Sequence, residues 1–298
     1  MADEDTRRRR VRAQRLAPRG DDVVDVVRHV LGIQAQDAAA ARLSLRARCE
    51  GITARDVDGA GLVRTWAWRG TLHLLAADDV PWVLAAIGPW RESARWRQLR
   101  LDEAVYERAR AAIVEALPAS RSQLREVLGP DGDGQRLPHL AARVAREGLL
   151  ELRLDDTYAP LDLPPLPPRE AALEELTRRF ARAFGPSTPK DLAKWSGVRG
   201  ALHLPGDTEP APPSARLLGA FDTYLLGYAD RGDVVAPEHA KRVFPGGGWI
   251  HPVVLVDGRA AGTWRIERDE VRVDAFEPLP DLSGECDDVQ RFLTIGRA

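Results

Sequence analysis

Residues 101–163 carry the pattern that most restricts the fold. Asp102 opens a helix running to Leu117, Pro118 and Ala119 break it, and Ser120 caps Arg121–Leu128. The turn Gly129–Gly134 follows, Gln135–Glu147 is a third helix, and Gly148 stops it. LLELRLDDTYAPL (149–161) then reads as two strands turning at Asp155-Asp156. Three short helices delivered to a two-stranded wing form a winged helix-turn-helix. Arg136, Arg143 and Arg146 fall on the third helix, where a recognition helix would meet DNA.

The same order occurs once before. Asp21 and Asp22 open a helix to Leu31, with Val23, Val26, Val27 and Val30 at helical spacing and Gly32 as its stop. Ile33–Gln36 is an extended segment. Ala38–Arg48 is a second helix, and Thr53 caps a third toward Val63. RTWAWRGTLHLL (64–75) reads as a strand pair or wing, and Asp78 is expected to cap a helix over Val80–Ile87. RESARWRQLR (91–100) continues as a basic connector. A third unit begins at Arg169, with helices over Glu170–Gly185 and Pro189–Gly197, and then stops early in a Pro/Gly-rich stretch. From Arg216 the chain turns β-rich, with a strand and turn near 216–231, a hairpin over Trp249–Ile266 turning at Asp257-Gly258, and a strand over Glu270–Phe276. The expected class is α+β, with units at 1–100, 101–163, 164–215 and 216–298.

Composition narrows the partners. Charged residues make up 30% and hydrophobic residues 44%, as in folded globular proteins. An apolar run long enough to span a membrane does not occur, and the basic start MADEDTRRRR is unlike a secretory signal. A cytoplasmic protein with reduced thiols at Cys49 and Cys286 is therefore expected. The net charge of -2 speaks against nucleic acid, but residues 1–100 hold 18 Lys+Arg against 13 Asp+Glu, while residues 201–298 hold 10 against 16. Positive charge thus gathers at the N-terminal end, where a phosphate-binding face would lie. The run at Arg7–Arg10, Arg12 and Arg15 is either a flexible tail or the solvated face of a first helix.

Gln34 and Gln36 stand two apart in an extended segment, so they share a face, with Ala35 pointing to the core. Each amide offers a donor and an acceptor. Two surface glutamines at a helix end would look the same. Asp37 fits an N-cap for the following helix. Arg64 and Arg69 are candidates to hold phosphates. His73 is a DNA contact or a satisfied structural residue. Trp66 and Trp68 alternate and are expected to share a core-facing side. Asp222, Tyr224, Asp230 and Arg231 suggest an internal ion pair. His, Cys and acidic residues show no metal-ligand spacing, and no cofactor is expected.

GIQAQD (32–37), RTWAWRGTLHLLAADD (64–79), AFDTYLLGYADR (220–231) and HPVVLVDGRAAGTWR (251–265), in this order and spacing, resemble the AlkZ/YcaQ family of bacterial winged-helix DNA glycosylases. The likeness runs from about residue 8 to 278. It implies tandem winged helices around a DNA channel, excision of bulky or cationic alkylpurines from double-stranded DNA, and no cofactor or metal. It assigns catalysis to Gln34 and Gln36, the Gln-x-Gln pattern of the crosslink-unhooking branch, in a family some of whose members protect antibiotic producers. It also implies DNA contact by a hairpin matching Asp257–Arg265, hence Arg259 and Arg265. Expected DNA ligands are therefore Arg64, Arg69, His73, Arg136, Arg143, Arg259 and Arg265, on a monomer. The alternative is a non-catalytic winged-helix regulator. The segment after Gly197 is shorter than the family pattern.

Overall fold

The computed structural model describes residues 2–90 and 92–295. It begins with helix α1 (Glu4–Ala13), capped by Asp3. The arginine run on α1 is neither a free tail nor a solvated face. Arg8 donates to the Ala211 carbonyl, Arg9 to Thr208, Arg10 to Pro186 and Asp233, and Arg12 to Pro210. Arg8, Arg9 and Arg12 bind the irregular segment before the C-terminal sheet and Arg10 bridges Pro186 and Asp233, so all four are engaged within the protein.

Helix α2 (Val23–His29) starts at the Asp22 cap and buries Val23, Val26 and Val27. Strand β1 (Ile33–Gln34), helix α3 (Ala38–Arg46), helix α4 (Ala54–Gly59), and strands β2 (Leu62–Trp66) and β3 (Leu72–Ala76) follow. The Asp37 carboxylate accepts from the Ala40 N–H, and Thr53 with Asp56 forms a reciprocal cap on α4. The three strands pair antiparallel in the order β1-β3-β2, which sets Gln34 opposite His73 and His73 opposite Thr65. Helix α5 (Val80–Ile87) begins at Asp79 rather than Asp78, and the Asp79 carboxylate binds Trp82 and Arg179 instead of capping. Helix α6 (Ala94–Gln98) completes the connector, whose Arg91 lies outside the described residues.

The second unit follows its expected order, with α7 (Glu103–Ala116), α8 (Arg121–Leu128), α9 (Arg136–Arg146), β4 (Leu150–Leu152) and β5 (Tyr158–Pro160). Gly148 has φ +79° between α9 and β4, and Asp156 turns the β4–β5 hairpin at φ 63°. Helices α10 (Arg169–Phe184) and α11 (Pro189–Ser196) form the third unit. Residues 198–214 then run without helix or strand.

The C-terminal region contains β6 (Ala215–Leu218), short helices α12 (Thr223–Leu226) and α13 (Ala240–Val243), then β7 (Val253–Val256), β8 (Arg259–Glu267) and β9 (Glu270–Ala275). Its sheet is antiparallel in sequence order. A last helix, α14 (Ser283–Ile295), was not anticipated; it buries Val289 and Phe292. Their spacing with Leu293 is helical, so the signal was present but short.

The cores cross the expected unit boundaries. The largest joins α1, α5, α10, α11 and the C-terminal sheet around Trp68, Trp82, Phe180, Phe184 and Trp195. The second unit's own core takes Trp66 and Leu72 from the first sheet. Trp66 and Trp68 are thus both buried but do not share a side, because the chain leaves β2 at Ala67 and turns. Asp222 pairs with buried Arg48 through two 2.8 Å contacts, not with Arg231, which lies over the Phe244 ring.

Candidate active site and nucleic-acid interface

Gln34 and Gln36 lie on one face of the short edge segment, with Ile33 and Ala35 fully buried on the other. Gln34 is half-buried and Gln36 exposed. Both amides have a fixed orientation. The Gln34 Oε1 accepts from an Arg69 Nη2 at 3.2 Å, and the Gln36 Oε1 accepts from the Leu72 backbone N–H at 3.1 Å. Guanidinium and backbone N–H groups only donate, so the oxygens must face them. Each oxygen keeps a second lone pair and each amide keeps its NH2 free to meet a ligand.

Gln36 borders a cleft of about 490 Å³ between the first sheet and the second unit, lined also by Arg121, Leu152 and Tyr158. Arg64 bolts the two sides together. It donates to the Ala35 carbonyl at 2.9 Å, to the Arg153 carbonyl at 3.0 Å and to Asp156 at 2.9 Å. It is only 3% exposed, and these hydrogen bonds give it a structural role. Sequence reading missed this bolt and the Leu72 N–H, because both depend on strand register and wing docking rather than on a local motif.

His73 is also enclosed. Its Nδ1 bonds the Thr71 carbonyl at 2.9 Å, and burial pushes its pKa down to about 4. The imidazole is neutral, buried and held by the protein's own backbone. Arg136 pairs with Asp131 at 2.6 Å. Arg143 makes a two-pronged pair with Glu103 at 2.8 and 2.6 Å and lies 3.5 Å from the Tyr106 ring centroid. Two of the three arginines on the expected recognition helix are therefore paired with carboxylates. Arg69 carries no carboxylate among its described hydrogen-bond partners and opens onto a cleft with Arg146, Arg169 and Arg199.

A sequence profile described as "DNA glycosylase AlkZ-like" matches residues 27–202 and 198–291. The chain is also 31% identical, over 97% of its own length and 95% of the relative's, to the interstrand DNA cross-link repair glycosylase of Streptomyces sahachiroi. The chain belongs to the AlkZ-like DNA glycosylases. Its α+β fold matches the solved structure of the S. sahachiroi DNA glycosylase AlkZ with a TM-score of 0.80 at 26% identity, over 97% of this chain and 95% of that one. As a DNA glycosylase family, AlkZ-like proteins are hydrolases of the base–sugar bond.

The alignment with the S. sahachiroi protein runs 358 positions against 298 residues here, so that AlkZ-like relative has tens of residues this chain lacks. The two profile matches meet at 198–202, at the start of the irregular stretch after α11. The hairpin expected to meet DNA runs from an inward turn to an exposed end. Its Asp257-Gly258 turn packs inward, where the Gly258 carbonyl accepts from the Tyr224 hydroxyl at 2.9 Å. The exposed end is the other one, where β8 turns into β9 at Arg268 and Asp269. Arg265 is exposed near that tip, 3.1 Å from Glu267, while Arg259 sits half-buried at the inward turn. Among the described residues no group of His, Cys and acidic side chains could hold a metal ion, and no helix is long and apolar enough to cross a membrane.

Proposed function

We propose that this protein is a monofunctional DNA N-glycosylase that removes purines alkylated on a ring nitrogen, with Gln34 and Gln36 holding the attacking water. The observation that carries this reading is the pair of accessible, orientation-fixed amides on one face of β1 and its continuation. An alkylated purine cation is already a good leaving group, and its bond to the sugar breaks through an oxocarbenium-like state. The enzyme then needs to place a water and favour developing charge more than to supply a strong acid or base. Neutral amide oxygens, each with a lone pair left, orient a water without taking its proton in the ground state. The Arg69 contact makes the Gln34 oxygen a still weaker base, which restricts the reaction to bases that leave readily.

A Schiff-base route would need an amine. Lysine occurs only at 190, 194 and 241, outside the Gln-bearing unit, so water is the nucleophile in this proposal. Winged-helix units around a duplex channel, with the β8–β9 tip and Arg265 touching DNA, complete the reading. The S. sahachiroi relative is an interstrand cross-link repair glycosylase. Crosslinked purines joined through ring nitrogens carry the same cationic leaving group, so unhooking follows by the same chemistry.

Duplex DNA bearing a ring-nitrogen methylpurine, incubated with enzyme and heated in alkali, tests this. The wild type is expected to give strand breaks at the lesion. Gln34→Ala/Gln36→Ala is expected to lose about 100-fold or more in single-turnover excision, the scale of removing transition-state hydrogen bonds. Full excision by a folded double variant would sink the assignment. A regulator would instead leave no abasic product and prefer one DNA sequence.

A further inference from the structure

Packed arginines in this protein usually have carboxylate partners, as Arg10 has Asp233, Arg48 has Asp222, Arg46 has Asp288 and Glu285, and Arg179 has Asp79 and Glu175. The cleft beside Gln34 departs from that habit. Arg69, Arg146, Arg169 and Arg199 line it, and among the described residues its lining contains no Asp or Glu. Their hydrogen bonds go to neutral oxygens. Arg69 donates to Gln34, Arg146 to the Gly88 carbonyl at 2.6 Å, and Arg169 to the Arg199 carbonyl at 2.8 Å. Burial lowers the Arg69 pKa first and the neighbouring charge of Arg231 second, and burial alone lowers that of Arg146. Arginine remains charged regardless.

The four guanidiniums come from distant parts of the chain: the β2–β3 turn, the end of α9, the start of α10 and the segment after α11. The backbone makes room for them. Arg69 is a non-glycine at φ 56°, in left-handed space that favours glycine. Gly197, at φ +68°, brings α11 so close that a Cβ there would lie 3.2 Å from the Arg69 Cγ. Gly88, at φ +77°, would place a Cβ 3.1 Å from the Arg169 Nε. Like charges gathered this way repel one another, and the arrangement becomes favourable once an anion with several acceptor oxygens enters.

We infer that this cleft is a seat for an internucleotide phosphate of the DNA strand, next to the nucleotide worked on by Gln34 and Gln36. The inference rests on the glycosylase reading for the identity of the anion. A phosphodiester offers two non-bridging oxygens to the guanidinium donors. Arg69 is the shared member: one Nη holds the Gln34 oxygen, and its remaining N–H groups face the phosphate. Phosphate occupancy therefore fixes the Gln34 amide as the strand docks.

Binding to undamaged duplex, read by fluorescence anisotropy across a potassium chloride series, separates this site from the chemistry. Arg146→Gln/Arg169→Gln/Arg199→Gln is expected to bind about tenfold or more weakly and to flatten the salt slope by about one, the counterion release of the one phosphate the seat holds. Arg242→Gln, at a surface pair with Asp274, is expected to match wild type. Gln34→Ala/Gln36→Ala is expected to keep the wild-type slope, so a failed catalytic assignment leaves this result readable. Inorganic phosphate, compared with chloride at equal ionic strength, is expected to raise the melting temperature of wild type and not of the triple variant. Should the triple variant not fold, Arg199→Gln alone is expected to lower the slope by up to about one. An unchanged slope in either folded variant overturns the inference. Phosphate stabilisation with an unchanged DNA slope would identify an adventitious anion site only, and overturns it as well.

Discussion

The first and second units share a plan, three helices leading to a β element, yet they use their charges in opposite ways. By position the second unit is the better DNA reader, because its third helix carries Arg136, Arg143 and Arg146. In the fold, Asp131 and Glu103 neutralise the first two. The first unit instead leaves two amides and Arg69 accessible at the edge of its sheet. Topology says where a helix lies; the partners of its side chains say whether it is available.

The contrast is sharpest at Arg64, which joins the two units. Arg64→Ala strands the Ala35 and Arg153 carbonyls and frees the wing from the Gln-bearing segment. We expect a loss of about 3 kcal/mol in chemical denaturation, from buried acceptors left unpaired and charged hydrogen bonds removed. Excision should fall at least about tenfold at temperatures where the variant stays folded, since misplacement by an ångström is costly to positioning. A variant with lowered stability and wild-type excision would show that the wing does not position Gln36. The lesser partner, Asp156, is 77% exposed in its side chain, so Asp156→Asn should cost less than about 1 kcal/mol.

His73 gives a pH test of the same sheet. Its folded-state pKa is depressed to about 4 by burial, so the neutral form belongs to the folded protein. Its contribution to stability is full above the unfolded value near 6.5 and is lost as pH falls toward 4. At pH 5 this group should cost about 2 kcal/mol relative to pH 7. His29 is depressed to about 4 as well, by burial and by Arg15, and adds in the same direction. Denaturant melts of wild type and His73→Phe at pH 7 and pH 5 check this. If the variant loses as much stability as wild type over that range, burial of His73 is not the cause. For excision, His73 should impose no inflection near pH 6.5.

What the sequence made legible was local. Asp22, Asp37, Thr53, Asp102 and Ser120 cap helices. Gly148 ends α9, and Asp257-Gly258 turns β7 into β8 with both residues at positive φ. These follow from rules acting within a few residues. Long-range partnership was not legible. The Arg48–Asp222 pair spans 174 positions, and nothing near Arg48 announces it. The docking of the arginine run, the separation of Trp66 from Trp68, and the inward packing of the Asp257 turn have the same origin. For the candidate site, the Gln pair was picked out by the family resemblance and not by its alternation, whereas the arginine cleft had no such pointer, because it assembles four residues that no spacing rule connects.

The smallest effect is the most informative about the second unit. Arg136→Gln/Arg143→Gln removes two guanidiniums from the expected recognition helix while leaving Asp131 and Glu103 in solvent reach. The Glu103 side chain is 66% exposed, so its loss of a partner is screened, and we expect no more than about 1 kcal/mol of destabilisation for that pair. Duplex affinity and excision should stay within about threefold of wild type, and the salt slope should hold, since charges already matched by carboxylates release few counterions on binding. The opposite result has a definite meaning. If the slope fell by about two, both ion pairs must open when DNA arrives, and the guanidiniums must exchange carboxylates for phosphates. The second unit would then read DNA after all, and the difference between the two units would describe only the unbound protein.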